Sequence, residues 1–305
     1  MTCYKIALMF NEFRDIQYSI YNQARNYFIE NYLQLIKLEY FLSLKIHTII
    51  SDRLPEITDD FNEASNLYPF WQNYPPDARG RLPIGDQYPW IEVGEHVIGD
   101  KLPRLLERHF FVRDVGLPTG SDVRLILTHS EIKRITEGFV EACWLFLDIK
   151  SVGPRDDQDH AVMSPNQISG NGRWDSSEGG VVNEVIVARG RKASHLFHCS
   201  IPPIYVLSDR TVTPVIVIVV KPVYKMLSLE KDSKDGGQPL KKISLATIPN
   251  GLLLHEQPNY LAQNPTLFFP GKDQKTKNPL KMRCRVSFAV LKSIADWRFQ
   301  EMLLG

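Results

Sequence analysis

The sequence predicts an α/β fold: one domain with a central mixed β-sheet flanked by helices and an N-terminal helical arm. Three observations carry that expectation. Apolar runs of strand length interleave with segments of helical periodicity along the chain. Several of those runs, 215–220 among them, are apolar on both faces, as in a sheet covered on both sides. No internal repeat and no Gly/Ser linker divides residues 1–305, so a single domain is expected.

Composition narrows the class. At 43% hydrophobic and 23% charged residues the chain sits near globular averages, which excludes disorder. The longest aliphatic run, 215–220, falls far short of a membrane helix, so no membrane association is expected. Residues 1–15 lack a basic segment followed by a long apolar stretch, so they do not read as a secretory signal. Cys3, Cys143, Cys199 and Cys284 are dispersed and form no CxxC pair. They read as buried free thiols, which suits a cytoplasmic protein.

The elements follow in order. Residues 12–50 read as helix, with Ile20, Ala24, Phe28, Tyr32, Ile36 and Tyr40 drifting around one face. An arm packed on another chain and a core helix both account for that pattern. The stretch 51–90 holds Pro55, Pro69, Pro75, Pro76, Pro83 and Pro89, so no regular element is expected there, while its aromatic residues predict packing. A helix follows over 90–107, broken or kinked at Pro103. Strands are expected at 124–128, 143–152, 181–187, 204–207, 212–224, 242–248 and 283–290. Helices are expected at 130–141, with Ser130 as N-cap, and at 291–304.

The chemistry-bearing feature is Asp148-Ile149-Lys150 at the polar end of the strand from Cys143. Residues two apart in a strand share a face, so Asp148 and Lys150 project together from the edge of a buried sheet. A carboxylate can hold Mg²⁺, and a lysine beside it can orient water or neutralise phosphate charge. One carboxylate makes a poor magnesium site. Asp122, just before the strand 124–128, is the acid that paired strands can bring to Asp148. An acid-x-Lys triplet is by itself commonly a solvated ion pair.

The net charge of +1 hides an asymmetry. Residues 221–285 carry twelve Lys/Arg against five Asp/Glu, leaving the remainder of the chain acidic. Within 271–285, Arg283 and Arg285 are two apart in the expected strand, so both guanidinium groups face one way. Arginine pairs bidentately with guanine in the major groove, although a basic run is also an ordinary solvated loop. His195, His198 and Cys199 lack a further ligand pair at zinc spacing, and Gly271-Lys272 lacks the upstream glycine of a P-loop. Glu92 and Glu95 are either acids near the metal site or surface charges. The loop 164–172, with Asn166, Gln167 and Asn171, is either a DNA-contacting loop or a structural turn.

Segments 117–122 (LPTGSD), 147–155 (LDIKSVGPR) and 164–172 (SPNQISGNG) resemble type II restriction endonucleases of the BglI type. So do 73–76 (NYPP), 89–95 (PWIEVGE), 248–252 (IPNGL) and 270–273 (PGKD). The resemblance runs from about residue 60 to about residue 290 and places the chain in the EcoRV-like branch of the PD-(D/E)xK nucleases. It implies a restriction-endonuclease-like core and a homodimer that cuts both strands of double-stranded DNA at an interrupted GC-rich palindrome with Mg²⁺. A cognate methyltransferase in the host is implied too, without direct contact. The superfamily's proline before the first acid is replaced by Ser121.

Carried over by position, Asp122, Asp148 and the Ile149 carbonyl would bind the metal, and Lys150 would position the attacking water. Lys272, Arg283 and Arg285 fall on basic base-readers, and Lys275, Lys277 and Lys281 on phosphate contacts. Gln274 stands where the BglI enzyme carries an acid, so a different base pair is expected there. The implied organisation is an N-terminal helical segment (1–60), a catalytic core (110–225) and DNA-recognition strands (240–290). A sequence-specific DNA-binding protein with a relic site and a repair or recombination nuclease are the competing readings.

Overall fold

The computed structural model describes residues 3–67, 90–117, 119–152, 157–191, 193–225, 239–271 and 278–304. The central sheet runs in the order β1 (Phe111–Asp114), β2 (Val123–Thr128), β3 (Ala142–Ile149), β10 (Val212–Tyr224), β11 (Leu240–Ile248), β14 (Phe299–Leu303), with β9 (Ile204–Val206) pairing β10. Only β3 and β10 run parallel, so the sheet is mixed.

Every residue of β3 is buried, because both faces of the sheet are covered. On one face Leu145, Leu147, Ile149, Ile216, Ile218 and Val220 meet a helical layer. That layer comprises α1 (Cys3–Glu30), α2 (Tyr32–Asp52), α3 (Leu54–Asn66) and α4 (Trp90–Leu106). The other face presents Trp144, Phe146, Val215, Val217 and Val219 to a second core. A three-stranded sheet helps form it, in the order β12 (Phe268–Pro270), β13 (Cys284–Ser287), β4 (His160–Met163). The period-two alternation of β3 and β10 therefore sorts side chains between a helical side and a small-sheet side. Cys143, Cys199 and Cys284 are buried free thiols, and no helix among the described residues is long and apolar enough to cross a membrane.

The N-terminal segment resolves into two helices broken at Asn31. Leu35, Leu38, Leu42, Ile46 and Ile50 of α2 are fully buried at helical spacing, so this part is a core helix. Residues 54–66, expected to be irregular, form α3; Pro55 stands in its first turn, where its missing N–H breaks no bond. The aromatic and proline positions at 68–89 lie outside the described residues. The helix after β2 is only α5 (Ser130–Ile135), and its N-cap is His129, whose Nδ1 accepts from Glu131 N at 3.0 Å.

Two C-terminal expectations are corrected. The strand expected at 283–290 covers only Cys284–Ser287, after which Ser287 caps a helix, α6 (Phe288–Ile294). The helix expected to run to residue 304 stops there, and Phe299–Leu303 instead forms β14 against β11. The segment expected as one strand over 181–187 belongs to two separate hairpins, β5–β6 (Arg173–Asp175, Gly180–Val182) and β7–β8 (Ile186–Arg189, Ser194–Phe197).

Candidate active site

The register of the central sheet builds the site. Val123 of β2 lies opposite Leu147 of β3. One step further along antiparallel strands sets Asp122 across from Asp148. The Asp122 carboxylate accepts from the Ile149 backbone N–H at 2.6 Å, which ties the start of β2 to the end of β3. Asp148 points to the small-sheet side, the face it shares with Trp144 and Phe146. Lys150 continues on that face, and its Nζ lies 2.9 Å from Asp148 Oδ1. Its backbone N–H donates to Val220 O of β10 at 2.9 Å, which holds its direction.

Asp148 is fully buried. Burial pushes its carboxyl up to about 7, with the Asp122 charge adding to the rise and Lys150 opposing it. A second donor meets the same oxygen: the Gln167 amide donates to Asp148 Oδ1 at 2.5 Å. The other oxygen, Oδ2, is buried with no hydrogen-bond partner among the described residues, and Ser121 Oγ and Ser151 Oγ share that condition. These unpaired buried oxygens lie at the end of one strand pair, where a water or an ion would satisfy them.

The oxygens of the Asp122 and Asp148 carboxylates are hard donors, and the Ile149 N–H is bound to the first of them. No group of three or more His, Cys, Asp or Glu converges among the described residues. Two carboxylates fit Mg²⁺, which binds through one or two carboxylates and otherwise keeps its waters.

The small sheet carries one of the basic residues expected to meet DNA, Arg285. Arg285 lies on β13, with NH1 3.5 Å from Asp157 Oδ2 and its guanidinium 5.9 Å from the Phe269 ring centre. Arg283 stands just before the strand, where its carbonyl accepts from Gly271 N at 3.1 Å. With Asn166, Leu280 and Lys281 it lines an open cleft of about 400 Å³. Lys272, Gln274, Lys275 and Lys277 lie outside the described residues.

The loop 164–172 is largely structural: Gln167 and Asn171 are buried, and Asn171 Oδ1 accepts from Glu184 N at 2.9 Å. The sequence reading missed Gln167 as a partner of Asp148. The signal was present in Ser164-x-x-Gln167, a capping-box pattern that holds a glutamine side chain in a defined place. It also missed Asp157, whose link to Arg285 is purely tertiary.

The sequence model of a family described as restriction endonuclease BglI matches residues 16–302. A type II restriction enzyme BglI from Bacillus subtilis is 46% identical over 290 residues, spanning 94% of this chain and 96% of that enzyme. The crystal structure of the restriction endonuclease BglI bound to its DNA recognition sequence matches with a TM-score of 0.88 at 45% identity, covering 95% of this chain and 98% of that one. The tetrameric restriction endonuclease SfiI bound to cognate DNA shares the fold, with a TM-score of 0.57 at 17% identity over 89% of this chain and 86% of that one.

Proposed function

Because the chain belongs to the restriction endonuclease BglI family and is a type II restriction enzyme, we propose that it hydrolyses both strands of an interrupted, GC-rich palindromic DNA site as a Mg²⁺-dependent homodimer. The observation that carries this reading is the convergence of Asp122, Asp148 and Lys150 at one end of β2 and β3. Asp122, Asp148 and the Ile149 carbonyl would hold the ion, which when bound supplies positive charge at the scissile phosphate and a more acidic water. Lys150, held 2.9 Å from Asp148 and partly exposed, orients the attacking water and balances charge on the phosphate. The buried surroundings of Asp148 strengthen each of these interactions.

The small sheet and the segment 272–277 carry the readout. Arg285 and Arg283 present guanidinium groups suited to guanine, with Lys272 earlier in the same basic segment. Gln274 suits adenine better than cytosine, so one base pair differs from the site of a relative with an acid there. Lys275, Lys277 and Lys281 meet phosphates, which fix register without reading sequence. Residues 110–225 act as the catalytic core and 240–290 as recognition strands, following the N-terminal segment 1–60. A host methyltransferase would protect the same site.

The test is a plasmid digest with Mg²⁺. Discrete fragments with uniform ends, lost in Asp148→Asn, are expected; smearing, or normal cutting by that variant, would overturn the proposal.

A further inference from the structure

Gln167 joins three parts of the molecule through one side-chain amide. Its Oε1 accepts from Ser164 N at 2.7 Å. Its Nε2 donates to Gly120 O at 2.8 Å and to Asp148 Oδ1 at 2.5 Å. The donor at Oε1 and the two acceptors at Nε2 leave one orientation of the amide, since the flipped form would set oxygen against oxygen. The side chain is 5% exposed, so water does not compete for these bonds.

Two consequences follow from that placement. First, Gln167 and Lys150 both donate to Asp148 Oδ1, while Oδ2 has no partner among the described residues. The two oxygens are thereby divided, one for the protein and one for an ion. Second, the turn that carries Gln167 is an extension of the small sheet. β4 ends one residue before Ser164, and Val162 of β4 pairs with Arg285 of β13. The turn also docks on the approach to Asp122: Gly120 N donates to Asn166 O at 2.9 Å. A Cβ at Gly120 would fall 2.4 Å from Asn166 Oδ1, so any larger residue there would displace the Asn166 side chain.

We propose that Gln167, on the turn that follows β4, is a positioning residue that presents Asp148 Oδ2 to the divalent cation. This rests on the Mg²⁺ nuclease reading above. Partners that orient metal ligands typically contribute about 10–100-fold to metal affinity.

The test uses the full-length protein in three variants. Gln167→Met removes the amide at similar length, and Gln167→Asn keeps it but withdraws it by one methylene. Ser164→Ala weakens the same turn while leaving the amide in place. Mn²⁺ binding is measured directly by calorimetry. The Mg²⁺ concentration for half-maximal plasmid cleavage and the metal-free affinity for a plasmid fragment are measured beside it. Either Gln167 variant should weaken Mn²⁺ binding, and raise half-saturating Mg²⁺, by roughly 10–100-fold, with metal-free DNA affinity retained. Ser164→Ala should leave both metal readouts unchanged even where its Tm falls. Equal metal shifts in Ser164→Ala and the Gln167 variants would reduce the effect to turn stability and overturn the proposal, as would wild-type metal binding in whichever Gln167 variant folds. Asp148→Asn separates the two layers: its cutting normally would sink the nuclease site itself, whereas its inactivity beside normal metal binding in Gln167→Met would sink only this inference.

Discussion

Asp157 stands between Arg285 and His160, with Oδ2 3.5 Å from the arginine NH1 and Oδ1 2.7 Å from the histidine Nδ1. The Asp157 carbonyl also accepts from the buried Lys221 ammonium, so the carboxylate is fixed at its backbone. Arg285 is therefore aligned by a carboxylate on one side and the Phe269 ring nearby. A side chain already ordered gives up less rotamer freedom on binding. Asp157→Ala should weaken discrimination between the preferred site and near-matches while leaving Mg²⁺ dependence intact. Arg285→Lys, which keeps charge but loses the fork, should cost about 1–3 kcal/mol of discrimination. Cleavage mapping against near-match sites checks both, and unchanged discrimination in Arg285→Lys would remove Arg285 from the readout.

Asp148 gives a pH signature to the metal-free protein. Its folded carboxyl is pushed up to about 7 by burial. Raising the pKa of an acid on folding means that its ionisation opposes the fold. Its contribution is most favourable below the ordinary carboxylate range and is lost as pH rises from there to about 7. Wild-type protein without metal should thus fall in stability across that window relative to Asp148→Asn, by up to about 4 kcal/mol. Added Mg²⁺ should raise the Tm of wild type at pH 8 and leave that of the variant unchanged. Thermal melts at pH 5 and pH 8, with and without Mg²⁺, measure the difference. Parallel melting curves for the two proteins would contradict the buried state of this carboxyl.

Much of the candidate site's geometry was legible because it is local or follows from period two. Asp148 and Lys150 share a face in any strand, and Asp122 needed only a return strand to reach them. Gln167 and Asp157 were not legible as partners, since one contact reaches from the turn after β4 to the central sheet and the other joins residues far apart in sequence. In the fold, β14 was missed because residues 299–303 have no local preference strong enough to choose. Pairing with the edge strand β11 decides them. The helix α3 was missed because Pro55 was read as a breaker, although a first-turn proline suits a helix start.

Gly94 lets α4 lie against the exit of β3. A Cβ there would fall 1.7 Å from Ser151 Oγ and 3.0 Å from Pro222 Cγ. Elsewhere in a helix, alanine for glycine stabilises by about 1 kcal/mol. Here the clash should reverse the sign, and Gly94→Ala should destabilise by about 1–3 kcal/mol. Removing the hydroxyl with Ser151→Ala should restore part of the loss, because Ser151 Oγ has no hydrogen-bond partner among the described residues to forfeit. Denaturant melts of the single and double variants test this. A stabilised Gly94→Ala would mean that α4 does not approach β3 this closely.

Glu39 and Arg298 form an ion pair with both side chains fully buried, Oε2 to NH2 at 2.6 Å. Glu39 Oε1 also accepts from Asn250 N at 2.6 Å, so this carboxylate serves a backbone donor as well as the arginine. Arg298→Met alone strands a buried charge and should cost about 3–5 kcal/mol. Glu39→Gln with Arg298→Met removes both charges and keeps an oxygen for Asn250, leaving one unpaired amide group that costs about 1–3 kcal/mol. The double variant should therefore be more stable than Arg298→Met, despite carrying one more substitution. The comparison is made by denaturant melts at pH 7, where Glu39→Ala with Arg298→Met serves as the third arm. That pair abandons the Asn250 N–H and should be less stable than the Gln pair. If the two double variants melt together, the hydrogen bond to Asn250 contributes nothing and the pair is held by charge alone.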